Sequence, residues 1–502
     1  MNYPGPKSGK AKDKRIVIIG AGPGGICVGK MLLDAGFSDV TIFEKSPAAG
    51  GVWQHNIYPG AACDVPSDLY SFSFAQDYEW SRPYAGQAEI RDYMEWCVNQ
   101  FGLSNRIHYN CEVVAMKWHD SETLWAFRLG NGEQSTADIV ISAVGMFNLP
   151  HMPKLAGLDD FEGTLFHAAE WKVDHTLEDR RVAVIGSAAS AVQIVPAIAS
   201  TTQQLHVFQR TANWLLPKED NIFDEHQLAR RRTDRFGRRE RRWQIWRDVV
   251  ALSTLEPDYC EQAEAVCRTH LNVVVDEDLR EKLTPDYPFG AKRPLISSDF
   301  YLAFNQNKVE LVTDPIARVT PNGIRTTDGA TRPVDTIVMA TGFQTTLFAS
   351  VVDIQGIGGI RLAEAWADGA QAYLGIATSG FPNFFMLYGP NTNNGSILFM
   401  LECQAAYIVR QLERMQHEEI ASLGVRREIE ARYNDRLQRD LAGFKAWKGE
   451  VNGYYRAENG RLVTQCPYTL GEYRELTAHD DREAYEAAPI ALQGKSIAAR
   501  AR

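Results

Sequence analysis

No two of the eight cysteines, at positions 27, 63, 97, 111, 260, 267, 403 and 466, stand in a Cys-x-x-Cys pair, and none is spaced with histidine as a metal ligand would be. A disulfide reductase is thereby excluded, no metal is expected, and a reducing, cytoplasmic compartment fits. Positive charge is also short: 53 Lys and Arg against 63 Asp and Glu leave a formal charge of -10. That balance excludes a general binder of nucleic acid or of anionic membrane. Long apolar runs are missing too. Val182 to Ala199 carries no charge, but its glycine turn, Gln193 and Pro196 fit a buried strand and a helix, and no membrane span is expected. Residues 1–13 hold glycine, proline and lysine without an apolar centre and are expected as a flexible tail, not a signal peptide. A second tail is expected over residues 488–502, where no apolar period remains.

What is present is two copies of one pattern. Arg15 to Ile19 reads as a short buried strand, runs into Gly20-Ala-Gly22-Pro-Gly24-Gly25, and is followed by a helical stretch and a second strand ending at Glu44. Gly20 suits the tight turn, Gly22 a close approach of backbone to pyrophosphate, and Gly25 the contact of helix with strand. Glu44 can accept hydrogen bonds from a ribose diol and would repel a 2'-phosphate. Further on, Arg181 to Ile185 enters Gly186-Ser187-Ala188-Ala189-Ser190-Ala191, then a helix through Gln193 and a strand ending in Arg210-Thr211. Ala188 should hold a pyrophosphate slightly further from the backbone. The forked cation of Arg210 suits a 2'-phosphate, so this second site reads as one for NADPH.

The expected fold class is therefore α/β: two Rossmann-like dinucleotide-binding domains, the second for NADP, with a helical insertion in that second domain. The first part of the first domain is expected over 14–150, the NADP domain over 151–345 with its insertion at 216–290, and the second part of the first domain, which the resemblance given below makes the FAD-binding one, over 346–487. Arg230, Arg231, Arg232, Arg235, Arg238, Arg239, Arg241 and Arg242, followed by Trp243 and Trp246, make that insertion the most basic stretch of an acidic chain. Without a recognition module around it, it reads as a solvated helical segment salt-bridged to the acidic remainder.

Between the two units stands Phe161-x-Gly163-x-x-x-His167-x-x-x-Trp171, and near the first stands Gly50-Gly51-Val52-Trp53 to Tyr58-Pro59-Gly60 to Asp64. Together these resemble the signatures of the type I Baeyer-Villiger monooxygenases, class B flavoprotein monooxygenases. The resemblance spans residues 14 to about 470 and departs at Lys172, where the family usually has Pro or Asp, and at Ala188. It implies bound FAD and NADPH, with O2 and a small-molecule ketone as substrates and an ester or lactone as product, formed through a C4a-peroxyflavin. Sulfoxidation is an implied side activity.

The resemblance also implies roles. Tyr287 to Pro294 resembles the family's loop carrying its active-site arginine, here Arg293, with Asp64 as the carboxylate that positions it. A guanidinium remains cationic at every workable pH and favours a peroxyanion and its adduct with a carbonyl. Flavin contacts are implied at Val52, Trp53, Asp64, Tyr70, Val113 and Ile397, in addition to Gly20, Gly22, Gly25 and Glu44. NADP contacts are implied over Gly186 to Ala191 and at Gln193, Arg210, Thr211, Lys292 and Arg293. Phe161, Gly163, His167 and Trp171 are expected to form a linker that couples NADP binding to domain orientation. Trp447, Tyr454 and Tyr455 either wall the substrate pocket or are core.

Two alternatives stay open at this point. A flavin-containing or N-hydroxylating monooxygenase acts on N or S, but Trp171 is the wrong residue for it and the complete Trp53 to Asp64 pattern is unexpected there. A non-oxygenating NADPH oxidase or redox sensor is opposed by the pairing of Asp64 with Arg293, and ester formation would exclude it.

Overall fold

The computed structural model describes residues 14–447, 453 and 455–489. Two five-stranded parallel sheets organise them. The first has the order Phe384–Met386, Ile139–Ser142, Ile16–Ile19, Val40–Phe43, Ile107–His108. Its central strand, Ile-Val-Ile-Ile, is buried along its whole length, as a strand covered by layers on both faces must be. The helix Pro23–Asp34 starts at the glycine turn with proline in its first turn, where a missing N–H leaves nothing unsatisfied. It packs on the long amphipathic helix Ile397–His417, which arrives from the far end of the chain.

The second sheet repeats the plan in the order Val309–Val312, Gln204–Phe208, Arg181–Ile185, Thr336–Met339, Thr164–His167. The segment expected as a linker is therefore part of this sheet. Thr164 to His167 pair in parallel with Thr336 to Met339, and a strand of Thr-Leu-Phe-His is too short to announce itself by periodicity. Gly163 sits under the ring of Phe161, and Phe166 meets Trp171 edge-on at 5.0 Å. The signature's aromatic residues thus pin the edge strand to its own flanks.

The chain leaves the first domain and returns to it side by side. Pro150 and Phe343 form an antiparallel bridge, His151 N–H donates to Gly342 O at 2.8 Å, and Gln344 N–H to Leu149 O at 2.9 Å. Residues 216–290, expected as an insertion, contain the helices Glu225–Thr233, Arg235–Thr254, Pro257–Leu271 and Glu277–Lys282. Their cations do meet the acidic remainder, with Arg231 on Asp68 at 2.5 Å and Arg232 forked onto Glu79. At the C-terminal side Tyr485–Pro489 pairs with Ile420–Val425, so Ala488 and Pro489, expected in a tail, belong to a strand held by ladder hydrogen bonds. Tyr454, the other expected tail residues and residues 1–13 lie outside the described residues. Among the described residues no helix is long and apolar enough to cross a membrane, and no cluster of His, Cys, Asp and Glu is arranged to hold a metal.

Candidate active site

The first glycine loop is shaped by backbone contact. A methyl on Gly25 would lie 1.9 Å from the carbonyl oxygen of Gly20, so the helix meets the turn with no room for a side chain. Gly22 and Gly51 also face each other, a Cβ on Gly51 falling 3.0 Å from Gly22 Cα, which brings the Gly50-Gly51 turn beside the first loop. Glu44 is buried, accepting from the N–H of Ala21 at 2.7 Å and from that of Ser46 at 2.8 Å. It is held at the end of its strand with carboxylate lone pairs remaining. Beyond it a cavity of about 520 Å³ opens between Lys45, Ser46, His55, Asn110 and Glu112, next to Val113. It adjoins the carboxyl ends of parallel strands, the place where open α/β sheets hold nucleotides. Val52 opens a one-turn helix, and the indole of Trp53 donates to the Tyr70 hydroxyl at 2.8 Å. Ile397 is the first residue of its long helix, capped by Ser396, whose free N–H groups favour negative charge.

The second loop has the same turn. Gly186 has φ +115° and its missing Cβ would meet Ala340 O at 2.3 Å, while Ala188 and Ala189 are exposed and Ala191 is buried beneath the helix. Ser187 donates to Thr211 O at 3.2 Å, tying the loops after both strands together. Lys292 stacks over the Tyr287 ring at 4.8 Å. Burial lowers its ammonium pKa, and the charge of Arg210 lowers it further. The two cations, expected at the 2'-phosphate, are thus near enough to feel each other's charge.

Asp64 and Arg293, 229 residues apart, meet as a fork: Nε donates to Oδ2 at 3.0 Å, and Nη2 to Oδ1 at 2.7 Å and Oδ2 at 2.6 Å. The arginine loop is fastened on several sides. Trp214 donates to Tyr287 O at 2.9 Å, Phe289 N–H donates to Glu264 at 3.0 Å, and Trp447 donates to Gly290 O at 3.0 Å. Trp447 and Tyr455 are accordingly buried core under that loop.

Gln193 contributes something the motif did not suggest. Its Oε1 accepts from the Tyr58 hydroxyl at 3.0 Å and from Ala62 N–H at 3.4 Å, while its Nε2 donates to Ala62 O at 2.9 Å. Both ends of this amide grip the loop of the other domain that leads to Asp64. Gly60 lets that loop lie flat on the helix, since a Cβ there would be 2.5 Å from Gln193 O. The only signal in the sequence was a long polar side chain in a mostly apolar helix.

His167 is buried at the end of its strand, 5.8 Å from the ring of Phe343 on the returning crossover. Its Nδ1 accepts from Ala169 N–H at 3.1 Å, and burial lowers its pKa. The neutral ring must then carry its proton on Nε2, and a hydrogen bond with the backbone of Gly342 on the returning crossover partly opposes the shift. The two glycine cradles and the Lys292 and Arg210 pair fit a protein that holds two dinucleotides.

Comparison with known proteins points the same way. Residues 13–240 match the family model described as flavin-binding monooxygenase-like. A Baeyer-Villiger monooxygenase of Pseudomonas aeruginosa is 36% identical over 510 residues, covering 99% of this chain and 95% of the relative. Cyclohexanone monooxygenase from Rhodococcus sp. Phi1, solved with NADP+, superposes with a TM-score of 0.85 at 28% identity, over 95% of this chain and 99% of that one. A structure of OTEMO holding FAD and NADP gives a TM-score of 0.85 at 28% identity, over 95% of this chain and 100% of that one. The chain belongs to the flavin-binding monooxygenase-like family and, within it, to the Baeyer-Villiger monooxygenases.

Proposed function

We propose that this chain binds FAD in its first domain and NADPH in its second, and inserts one atom of dioxygen into a ketone to give an ester or lactone. When bound, FAD takes hydride from NADPH and activates dioxygen, one atom going to product and the other to water. The chain's own part is positional and electrostatic. Arg293 presents a permanent cation where negative charge develops on oxygen, and Asp64 fixes the direction of its fork. Gln193 and the loop it grips set the two domains so that this pair forms. The observation that carries the reading is the forked pair of Asp64 and Arg293, which spans the two nucleotide units. It is tested by purifying the yellow protein and following NADPH oxidation with a cyclic ketone, with the product identified by mass. Ester in proportion to NADPH supports the reading; hydrogen peroxide in its place points to an oxidase, and turnover of amines or sulfides alone to a heteroatom oxygenase.

Nicotinamide choice follows from the paired cations. Arg210→Ala or Lys292→Ala is expected to raise KM for NADPH roughly tenfold or more, the worth of a charge-assisted contact, while KM for NADH moves far less. Equal changes for both nucleotides would remove these residues from the 2'-phosphate.

The clamp makes a different prediction. Gln193→Ala is expected to raise the share of NADPH electrons released as peroxide about three- to tenfold, matching one or two lost hydrogen bonds, with a smaller loss in the rate of NADPH consumption. A variant that loses NADPH affinity and stays coupled would return Gln193 to a nucleotide-binding role.

A further inference from the structure

A second cavity, of about 540 Å³, lies where the basic insertion packs on the FAD domain. Its volume is that of a site for a small molecule. One wall is the helix Arg235–Thr254: Arg239, Arg242, Trp243 and Trp246 follow the i, i+3, i+4, i+7 spacing, and Glu240 lines the cavity beside Arg239. Trp246 meets Phe399 edge-on at 4.7 Å and closes the apolar part. On the opposite wall, Leu69 and Ser71 flank Tyr70, the partner of Trp53, and Ser396 precedes Ile397. The cavity therefore begins one residue from two positions expected against the flavin.

Its charges are unevenly satisfied. Glu402 accepts from the Ser73 N–H at 2.6 Å and from the Ser73 hydroxyl at 2.5 Å. Asp68, the other carboxylate felt by Arg242, is already held by Arg231 at 2.5 Å. Arg242 is half-buried, and its Nε has no partner among the described residues. Burial works against its charge, and the nearby carboxylates compensate only from a distance. A half-buried guanidinium with an unpartnered Nε beside two indoles is suited to an anionic group on an apolar body.

We propose that this cavity receives the ketone substrate and that Arg242 selects ketones bearing a carboxylate, the oxo acids, by pairing with that carboxylate while Trp243, Trp246 and Phe399 cover the hydrocarbon. This rests on the ketone-oxidising reading above. The test compares an oxo fatty acid with its methyl ester on the holoenzyme, in the wild type and in Arg242→Gln and Arg242→Lys. In the wild type kcat/KM favours the acid, and in Arg242→Gln the ratio of acid to ester is expected to fall roughly 10- to 100-fold, with Arg242→Lys between. A ratio unchanged by both variants overturns the proposal. Calorimetric binding of the oxo acid to the oxidised holoenzyme keeps the two readings apart. If binding depends on Arg242 but no ketone gives an ester, the oxygenation reading fails and the anion site stands; if ketones give esters but the acid binds all three proteins alike, the site fails and the oxygenation reading stands.

Discussion

Replacing Arg293 with alanine is expected to lower ester formation at least ~100-fold while the protein remains yellow and folded. The side chain is about a third exposed and its loop is held by the contacts of Trp214, Phe289 and Trp447, none of which uses the guanidinium. Little stability should therefore be lost with it. What is lost is a cation whose charge no pH change removes and whose fork Asp64 has already aligned. NADPH consumption without ester, or consumption slowed together with ester, would both fit removal of this cation; ester formation within a few-fold of wild type would refute its role. Asp64→Ala should fall in the same direction, and the double variant should be little worse than Arg293→Ala alone, because a carboxylate that only aims the guanidinium has nothing to aim once it is gone. Additive losses would instead give Asp64 a separate task.

The parts of this site that were legible in the sequence are those where backbone geometry dictates residue type. Gly25 and Gly186 must be glycine for reasons of atomic overlap and φ, so their spacing after a buried strand announced both nucleotide loops. Arg293 and Asp64 were legible only through the family's motifs, since no local pattern relates residues 229 apart. Gln193 illustrates the limit. Its place in the second glycine-loop helix suggested a nucleotide contact, but gave no sign that its amide also holds Ala62, 131 residues away, a contact fixed by domain packing. His167 was placed in a linker because a four-residue edge strand has no period to read, and its pairing with Thr336–Met339 exists only once the sheet does. The face formed by Arg239, Arg242, Trp243 and Trp246 passed as a solvated basic helix for the same reason: charge runs usually are solvated, and only the packed structure turns this one over a cavity.

Two glycine substitutions should separate the cofactors. Gly25→Ala places a methyl 1.9 Å from the Gly20 carbonyl oxygen, an overlap of backbone with backbone that no rotamer relieves. The helix Pro23–Asp34 must then lift from the turn, and flavin per purified chain is expected to fall at least ~10-fold, with lower soluble yield, because strain of this kind costs several kcal/mol in a protein stable by about 5–15. Gly186→Ala meets Ala340 O at 2.3 Å with φ at +115°, so its second loop is displaced in the same way. That loop lies in the other sheet, so this variant should remain yellow and be bleached by dithionite while its reduction by NADPH slows at least ~10-fold. Gly29→Ala is the control within the first helix: its methyl would approach only the side-chain ends of Ile42 and Leu103, at 3.2 Å, and alanine gains about 1 kcal/mol of helix propensity that offsets their adjustment. If Gly25→Ala kept its flavin, or if Gly186→Ala lost flavin and NADPH reduction together, the assignment of one cofactor to each sheet would be wrong. The separation is expected because each loop is built on its own five-stranded sheet, and the two sheets share no strand.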